Sequence, residues 1–371
     1  MSTVMKPPAG CGRIAPASSE LRAGVEQMRL PDPLGFGTLM APIMALAYYR
    51  DGAWETPRLT ALEPLQLAPH AQALHYGQAI FEGMKAYRNL GALFQSPALL
   101  FRPYDHASRF NRSAQRLGMP RIDEEVFVET LEQLVAHLDK LVPERLAQSL
   151  YLRPAMFGIT DHLSVTPSTE YCFVVVATPS DAFFTTPIKA WIERRYSRAG
   201  AGGTGNVKAA GNYAASFAAA APLREQGFHQ LLWLDANSRT HLEEFTAMNV
   251  FVRWGETLLT PPLSDTILPG ITRDSLLALA GPLGLAMQER PIAIDALVEA
   301  IGGGADIEVF GCGTGAVIAS VEALGDESGL RLPLPAPSVA PLLRKSLLEI
   351  HHGLAPAPKG WQWPVGTRKQ P

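Results

Sequence analysis

Cysteine is scarce in this chain: 3 among 371 residues, at Cys11, Cys172 and Cys312. So few thiols, so widely spaced, offer neither a disulfide framework nor zinc-ligand spacing, and no metal site is expected. A reducing cytoplasm is the expected compartment. Long apolar runs are missing as well; none approaches the length of a membrane span. Residues 1–24 lack the apolar core of a signal peptide, and Glu20 speaks against an organellar leader, so they read as a flexible tail. Basic runs are absent, Arg194-Arg195 being too short to count, and the formal net charge is −3. Neither nucleic acid nor an anionic membrane is therefore an expected partner. No repeat of fixed period is visible. The dinucleotide fingerprint is missing too: Gly311-Cys312-Gly313-Thr314-Gly315 has the wrong spacing, and no ribose-binding acid follows at the usual offset.

What remains is a loop-rich globular composition, 47% hydrophobic and 18% charged, with 32 glycines and 31 prolines. Its length exceeds that at which one core stops growing, so two domains are expected. The boundary is placed in the Pro- and Gly-marked stretch that holds Pro187 and the run Ala199 to Gly203. This gives a smaller α/β domain over residues 1–180, a linker over 181–205 containing one strand-like piece, and a second domain over 206–371. Apolar spacing predicts helices over 105–117, 126–141 and 213–226, and one starting near Thr272. Strands are predicted over 149–154, 171–177, 231–234, 248–254 and 307–310, the second buried on both faces.

Several groups could do chemistry. Lys208 stands among Val207, Ala209, Ala210 and Gly211, with Tyr213 five residues later. A lone lysine is more often a surface residue, but these neighbours make a poor solvated face. Glu243 and Glu244 precede a strand, where adjacent side chains point to opposite faces, so only one can serve a given site. Composition leaves the choice open, and both could be exposed. An amine, a phenol and a carboxylate are the three groups that a pyridoxal phosphate enzyme needs. Small neighbours let a flat ring lie against backbone. Two loops could cradle the phosphate: Leu268-Pro269-Gly270-Ile271-Thr272, with Thr272 as N-cap of the following helix, and the 311–315 loop. Most such caps and turns bind nothing. Arg109, on a helix with Arg112 and Arg116, offers a guanidinium, which otherwise reads as solvated. Significance lies in their occurring together.

The chain resembles the branched-chain amino acid aminotransferases, pyridoxal phosphate enzymes of fold type IV. The likeness runs from about Phe36 to the last helix. It rests on Leu74-His75-Tyr76, Phe81-Glu82-Gly83-Met84-Lys85-Ala86, Phe101-Arg102-Pro103 ahead of Arg109, and Tyr151-Leu152-Arg153-Pro154. It continues through Gly203-Thr204-Gly205, Lys208, Gly211-Asn212-Tyr213, Met248-Asn249, Leu268 to Arg273, and Gly313-Thr314. The resemblance implies a two-domain α+β, α/β architecture like that of D-amino acid aminotransferase, and pyridoxal 5'-phosphate as cofactor. It implies Lys208 as the Schiff-base lysine and proton carrier, Tyr213 on the ring oxygen, and Glu244 on the pyridine nitrogen. Leu268 would pack on the ring, while Arg109, Ile271, Thr272 and Thr314 would hold the phosphate. Phe36, Tyr76, Phe81, Tyr151, Arg153, Ala247 and Gly315 would form the substrate pocket.

The implied activity moves an amino group between leucine, isoleucine or valine and 2-oxoglutarate by a ping-pong route. Small amino and 2-oxo acids are then the binding partners, and a homodimer, each chain contributing to the other's pocket, is the expected assembly. Three departures stand out. Ala247 replaces a threonine and Phe183 a tyrosine of mammalian members, and the redox cysteines that follow the Gly-Thr turn there are absent, so no thiol switch is expected. Rival readings are a D-amino acid aminotransferase, an aminodeoxychorismate lyase or an aminotransferase for an unusual amino acid. A silent binding protein on this fold and a nicotinamide oxidoreductase are more distant rivals.

Overall fold

Segments rich in β-branched and aromatic residues form two nine-stranded sheets, as such side chains suit a pleated, buried surface. The computed structural model describes Ile14 and residues 18–366; Cys11 and most of the N-terminal tail lie outside the described residues. In the first sheet the order is Gln362–Pro364, Ala98–Phe101, Met84–Arg88, Ser149–Gly158, Tyr171–Ser180, Ile43–Arg50 and Ala53–Trp54. Arg58–Ala61 adds to Ile43–Arg50, and Ala79–Phe81 to Ser149–Gly158. Its centre is an antiparallel pair registered from Ser149↔Ser180 to Gly158↔Tyr171. Tyr171–Ser180 is buried along almost its whole length, as its unbroken apolar run predicts. Helices Pro103–Arg116 and Glu124–His137 supply Phe110, Phe127 and Leu131 to a core with Phe173, Val175 and Ala47.

The second sheet closes on itself. Leu242–Phe245, Gln230–Leu234, Ile188–Glu193, Val317–Gly325, Ile307–Gly313 and Asn249–Trp254 follow in order, and the pair Glu244↔Asn249 joins the last to the first. Thr257–Thr260 and Ala286–Glu289 extend it beyond Asn249–Trp254. Inward residues such as Ile192, Leu232, Val250, Val309 and Val321 fill the resulting barrel. Helices Ile271–Ala280 and Val339–His351 share a further apolar cluster with Phe251 and Phe310 of this sheet and with Tyr87 and Phe101 of the first. That cluster ties the two sheets together.

Three expectations need correction. Ile188–Glu193, inside the stretch read as a linker, lies within the barrel and is parallel to both neighbours. Ile188, Ala190 and Ile192 alternate inward, so the strand-like piece expected within the linker is a strand of the barrel, set off by the prolines and glycines around it. The helix expected over 213–226 is split into Gly211–Ala214 and Phe217–Glu225. Part of the expected tail is a helix, Ser19–Gln27, whose cap is the Ser18 hydroxyl accepting from the Leu21 N–H and whose Val25 is buried. Among the described residues, no helix is long and apolar enough to cross a membrane.

Candidate active site

A cavity of about 240 Å³ lies between the two sheets, where turns at the barrel's end face strands of the first sheet. Lys208 reaches it from a segment pinned by backbone. The Phe81 N–H donates to the Lys208 carbonyl (3.1 Å), the Ala210 N–H to the Ala79 carbonyl (2.9 Å), and the Lys208 N–H to Ser113 Oγ (3.0 Å). The side chain so aimed places Nζ 2.9 Å from the Tyr213 hydroxyl and 4.8 Å from the centre of the Phe81 ring.

Glu244, rather than Glu243, is the carboxylate that faces this cavity. It stands at the register pair that closes the barrel, and only 4% of it is exposed. Oε2 accepts from Asn249 Nδ2 (3.0 Å) and the Leu268 N–H (3.2 Å), and Oε1 lies 2.9 Å from Arg198 Nε. Burial pushes its carboxyl up to about 7, against the opposing pull of Arg198, the Leu268 N–H and Lys208. Glu243 is taken by the Thr266 hydroxyl, which donates to its Oε1 (2.5 Å).

The two anion cradles meet at the same cavity. Helix Ile271–Ala280 begins there, but its N-cap is Gly270, with no side-chain cap, and Thr272 is the second helical residue instead of the cap. Its first amides are thus left to an anion, with the positive end of the helix dipole behind them. Gly270 is required by crowding: a Cβ there would come 1.9 Å from Asn249 Oδ1. On the other side is the hairpin turn between Ile307–Gly313 and Val317–Gly325, presenting Thr314 and Gly315. Lys85 Nζ donates to the Gly315 carbonyl (2.8 Å), and Val317 closes the turn at a φ of 60°, a strained value for a β-branched residue.

Arg109 lines the cavity with its fork already engaged. Nε and Nη2 donate to the two oxygens of Glu82 (both 2.7 Å), Nη1 to the Pro269 carbonyl (3.3 Å), and His106 Nδ1 lies 2.9 Å from Glu82 Oε2. Burial pushes the Glu82 carboxyl up, but Arg109 and then His106 outweigh it and hold the group well below the usual carboxylate range. The sequence motifs include Glu82 and Asn249 without a role for either, and they do not point to His106 or Arg198.

The remaining wall is aromatic. Phe36 stacks edge-on against Tyr151 (5.1 Å) and Phe183 (4.7 Å), and Arg153 Nη2 donates to the Tyr151 hydroxyl (2.9 Å). Arg153 lies 4.7 Å from the Phe81 ring centre, and its buried Nε has no hydrogen-bond partner among the described residues. Gly83 leaves the space that Tyr151 enters, since a Cβ would lie 2.1 Å from the phenol oxygen. Ala247, between Thr246 and Met248, completes the wall, as does Leu268 near the helix start. Tyr76 is the exception. It is outside the cavity, 43% exposed, and its hydroxyl donates to the Leu163 carbonyl (2.5 Å). The short helix Gln72–Tyr76 that carries it ends at a left-handed Gly77, which turns the chain before it reaches the site. Burial pushes the Cys312 thiol up, and that of Cys172 to about 12, so neither is a ready thiolate.

These groups fit pyridoxal phosphate: an amine beside a phenol, a buried carboxylate across the cavity, and uncapped helix amides beside an arginine. Comparisons with known proteins agree. The family model for amino-transferase class IV matches residues 79–324. A branched-chain-amino-acid aminotransferase of Mycolicibacterium smegmatis is 41% identical over 357 residues, 93% of this chain and 95% of that protein. Among solved structures, a branched-chain aminotransferase from Thermoproteus uzoniensis with norvaline aligns at a TM-score of 0.71 and 25% identity, over 86% of this chain and 99% of that one. The T.th. branched-chain amino acid aminotransferase complexed with N-(5'-phosphopyridoxyl)-L-glutamate aligns at 0.69 and 26%, over 87% and 99%. The fold, the donor set and these relatives together make this chain a pyridoxal 5'-phosphate-dependent class IV aminotransferase, a member of the branched-chain-amino-acid aminotransferase family.

Proposed function

We propose that this protein moves the amino group between leucine, isoleucine or valine and 2-oxoglutarate, in two half-reactions at one site. One observation carries the reading: Lys208 Nζ and the Tyr213 hydroxyl, 2.9 Å apart, share a cavity with a buried glutamate and an unpartnered arginine nitrogen. When bound, pyridoxal phosphate supplies an electron sink and a carrier for nitrogen. Lys208 attaches the cofactor and, as the free amine, takes the proton from Cα of the amino acid. Tyr213 orients that amine and offers its hydroxyl to the ring oxygen. Glu244 would face the pyridine nitrogen, and Leu268 would pack on the ring. Arg109, the amides of Ile271 and Thr272, and Thr314 hold the phosphate. The fork of Arg109 is fixed by Glu82, which sets its position while leaving it cationic.

The substrate must present an aliphatic side chain in one half-reaction and a carboxylate in the other. Phe36, Phe81, Tyr151, Phe183 and Ala247 provide an apolar wall for the first. Tyr151 and Arg153 share one face of their strand, so the free Nε of Arg153 is available to the second. The turn at Gly315 seats the α-carboxylate. The norvaline and phosphopyridoxyl-glutamate complexes of the relatives support this pairing of substrates.

A homodimer in the cytoplasm is the proposed setting. Leu74, Tyr76, Leu163 and Val165 are all exposed, and the Tyr76–Leu163 hydrogen bond brings two of them together. Such a patch on a short helix and loop suits burial against a second copy, where Tyr76 would meet the partner's cavity. We also propose a division into a first unit ending near residue 180 and a second from residue 206, with Ile188–Glu193 of the intervening segment built into the second sheet.

The test is single-turnover amino transfer from a panel of L- and D-amino acids to the bound cofactor. L-leucine, L-isoleucine, L-valine and L-glutamate are expected to react fastest. Reaction with D-alanine and none with L-leucine would overturn the proposal.

A further inference from the structure

Arg198 takes no part in the roles assigned above, although its side chain is only 7% exposed and its Nε lies 2.9 Å from Glu244 Oε1. It follows the strand Ile188–Glu193, in the segment whose prolines and glycines read as a linker. Its Nη2 donates to the carbonyls of Gly205 (2.7 Å) and Thr266. The segments carrying those carbonyls are pressed together. A Cβ on Gly205 would come 2.7 Å from Thr266 Cα and 2.8 Å from the Asp265 carbonyl, so only glycine permits the approach. The guanidinium is therefore clamped by backbone at one end, with Glu244 against the other.

The contact is electrostatic. Among the described residues Nε makes no aligned hydrogen bond, although it lies 2.9 Å from the carboxylate. In so dry a place a charge at this distance acts far more strongly than in water. The other partners of Glu244 cannot substitute for it. Asn249 and the Leu268 N–H are neutral, and Glu243 repels. Lys208 attracts only while it is an ammonium, and its charge changes during turnover. Arginine alone stays charged throughout. Without it, burial would drive Glu244 to take up a proton. A neutral Glu244 would no longer offset the charge of a protonated ring nitrogen, and the one proton shared between the two would rest on the carboxyl instead of the ring.

We infer that Arg198 is a positioning residue that keeps Glu244 ionised inside the dry site, so that the bound ring retains its proton on the pyridine nitrogen. The inference rests on the placement of Glu244 against that nitrogen proposed above.

The experiment uses pyridoxal phosphate labelled with nitrogen-15 in the ring, loaded into native protein, R198M and R198K, with folding checked by circular dichroism. Nitrogen NMR at neutral pH is expected to show a protonated ring nitrogen in native protein and in R198K, and its loss in R198M. A folded R198M with the native signal would overturn the part given to Arg198 and leave Glu244 in place. An unprotonated nitrogen in the native protein would overturn both. Should R198M fail to fold, an infrared difference spectrum of native against E244Q holoenzyme decides the matter on the native fold. A carboxylate stretch from Glu244 is expected, and a protonated-acid carbonyl band would contradict the inference.

Discussion

Glu82 shows how much one buried residue can carry at this site. Its side chain is wholly buried, yet it accepts from both sides of the Arg109 fork and lies beside His106. E82Q would leave the Arg109 charge buried and uncompensated, a loss of about 3–5 kcal/mol by comparison with other broken buried pairs. Urea unfolding of the cofactor-free protein at neutral pH checks this. A loss under about 1 kcal/mol, the size expected for exposed pairs, would refute it. Because the folded carboxyl is held below its unfolded range, its contribution is present above that range and is lost as pH falls. The gap in stability between native protein and E82Q should therefore narrow on acidification below about pH 4.3. Glu244 has the opposite sign. Its folded carboxyl is raised to about 7, so in the cofactor-free protein its contribution is fully present below the ordinary carboxylate range and is lost as pH rises through about 7. E244Q has no such titration, and native protein should lose stability relative to it across that window.

At the scale of elements, the site depends on close approaches between a few backbone segments. Gly270 starts the helix Ile271–Ala280 against Asn249, whose amide in turn holds Glu244 and the Leu268 carbonyl. G270A must displace Asn249, an overpacking cost of about 1–3 kcal/mol. It should also weaken cofactor retention, which a shift in melting temperature and a titration of cofactor-free protein with pyridoxal phosphate would measure. Native affinity in G270A would show that Asn249 does not fix the carboxylate. The parts legible in sequence were those with local signals. Lys208 with Tyr213, the turn at Thr314 and the helix after Gly270 each announce themselves within a few residues. Glu82 was visible but without a role, because His106 and Arg109 come from a helix more than twenty residues further on. Arg198 was illegible for a related reason: it lies after a short strand in a segment that mimics a linker, and Glu244 lies far along the chain. Thr272 reads as the cap, two residues beyond the true cap Gly270, because a threonine caps better than the glycine that crowding demands.

For the whole molecule, barrel closure at Glu244↔Asn249 and the apolar cluster joining both sheets set the cavity between them. The two-domain α+β, α/β architecture could be expected from resemblance, but the closed sheet could not be read from periodicity, since pairing partners such as Asn249 and Cys312 are remote in sequence. Tyr76 marks the limit of a single chain: its motif is legible but its place is away from the cavity, and the proposed dimer is what would give it a task. Sedimentation equilibrium of native protein should show a dimer, and Y76D, which puts a charge on the exposed apolar patch, should shift the balance towards monomer. A native monomer, or an undiminished dimer in Y76D, would sink that part of the account.

The most direct measurement is borohydride reduction of the protein loaded with pyridoxal phosphate, followed by proteolysis and mass mapping. The account predicts the cofactor's mass on the peptide containing Lys208, and no stable label or amino transfer in K208A. Label on any other lysine, or none on the native holoenzyme, would contradict it.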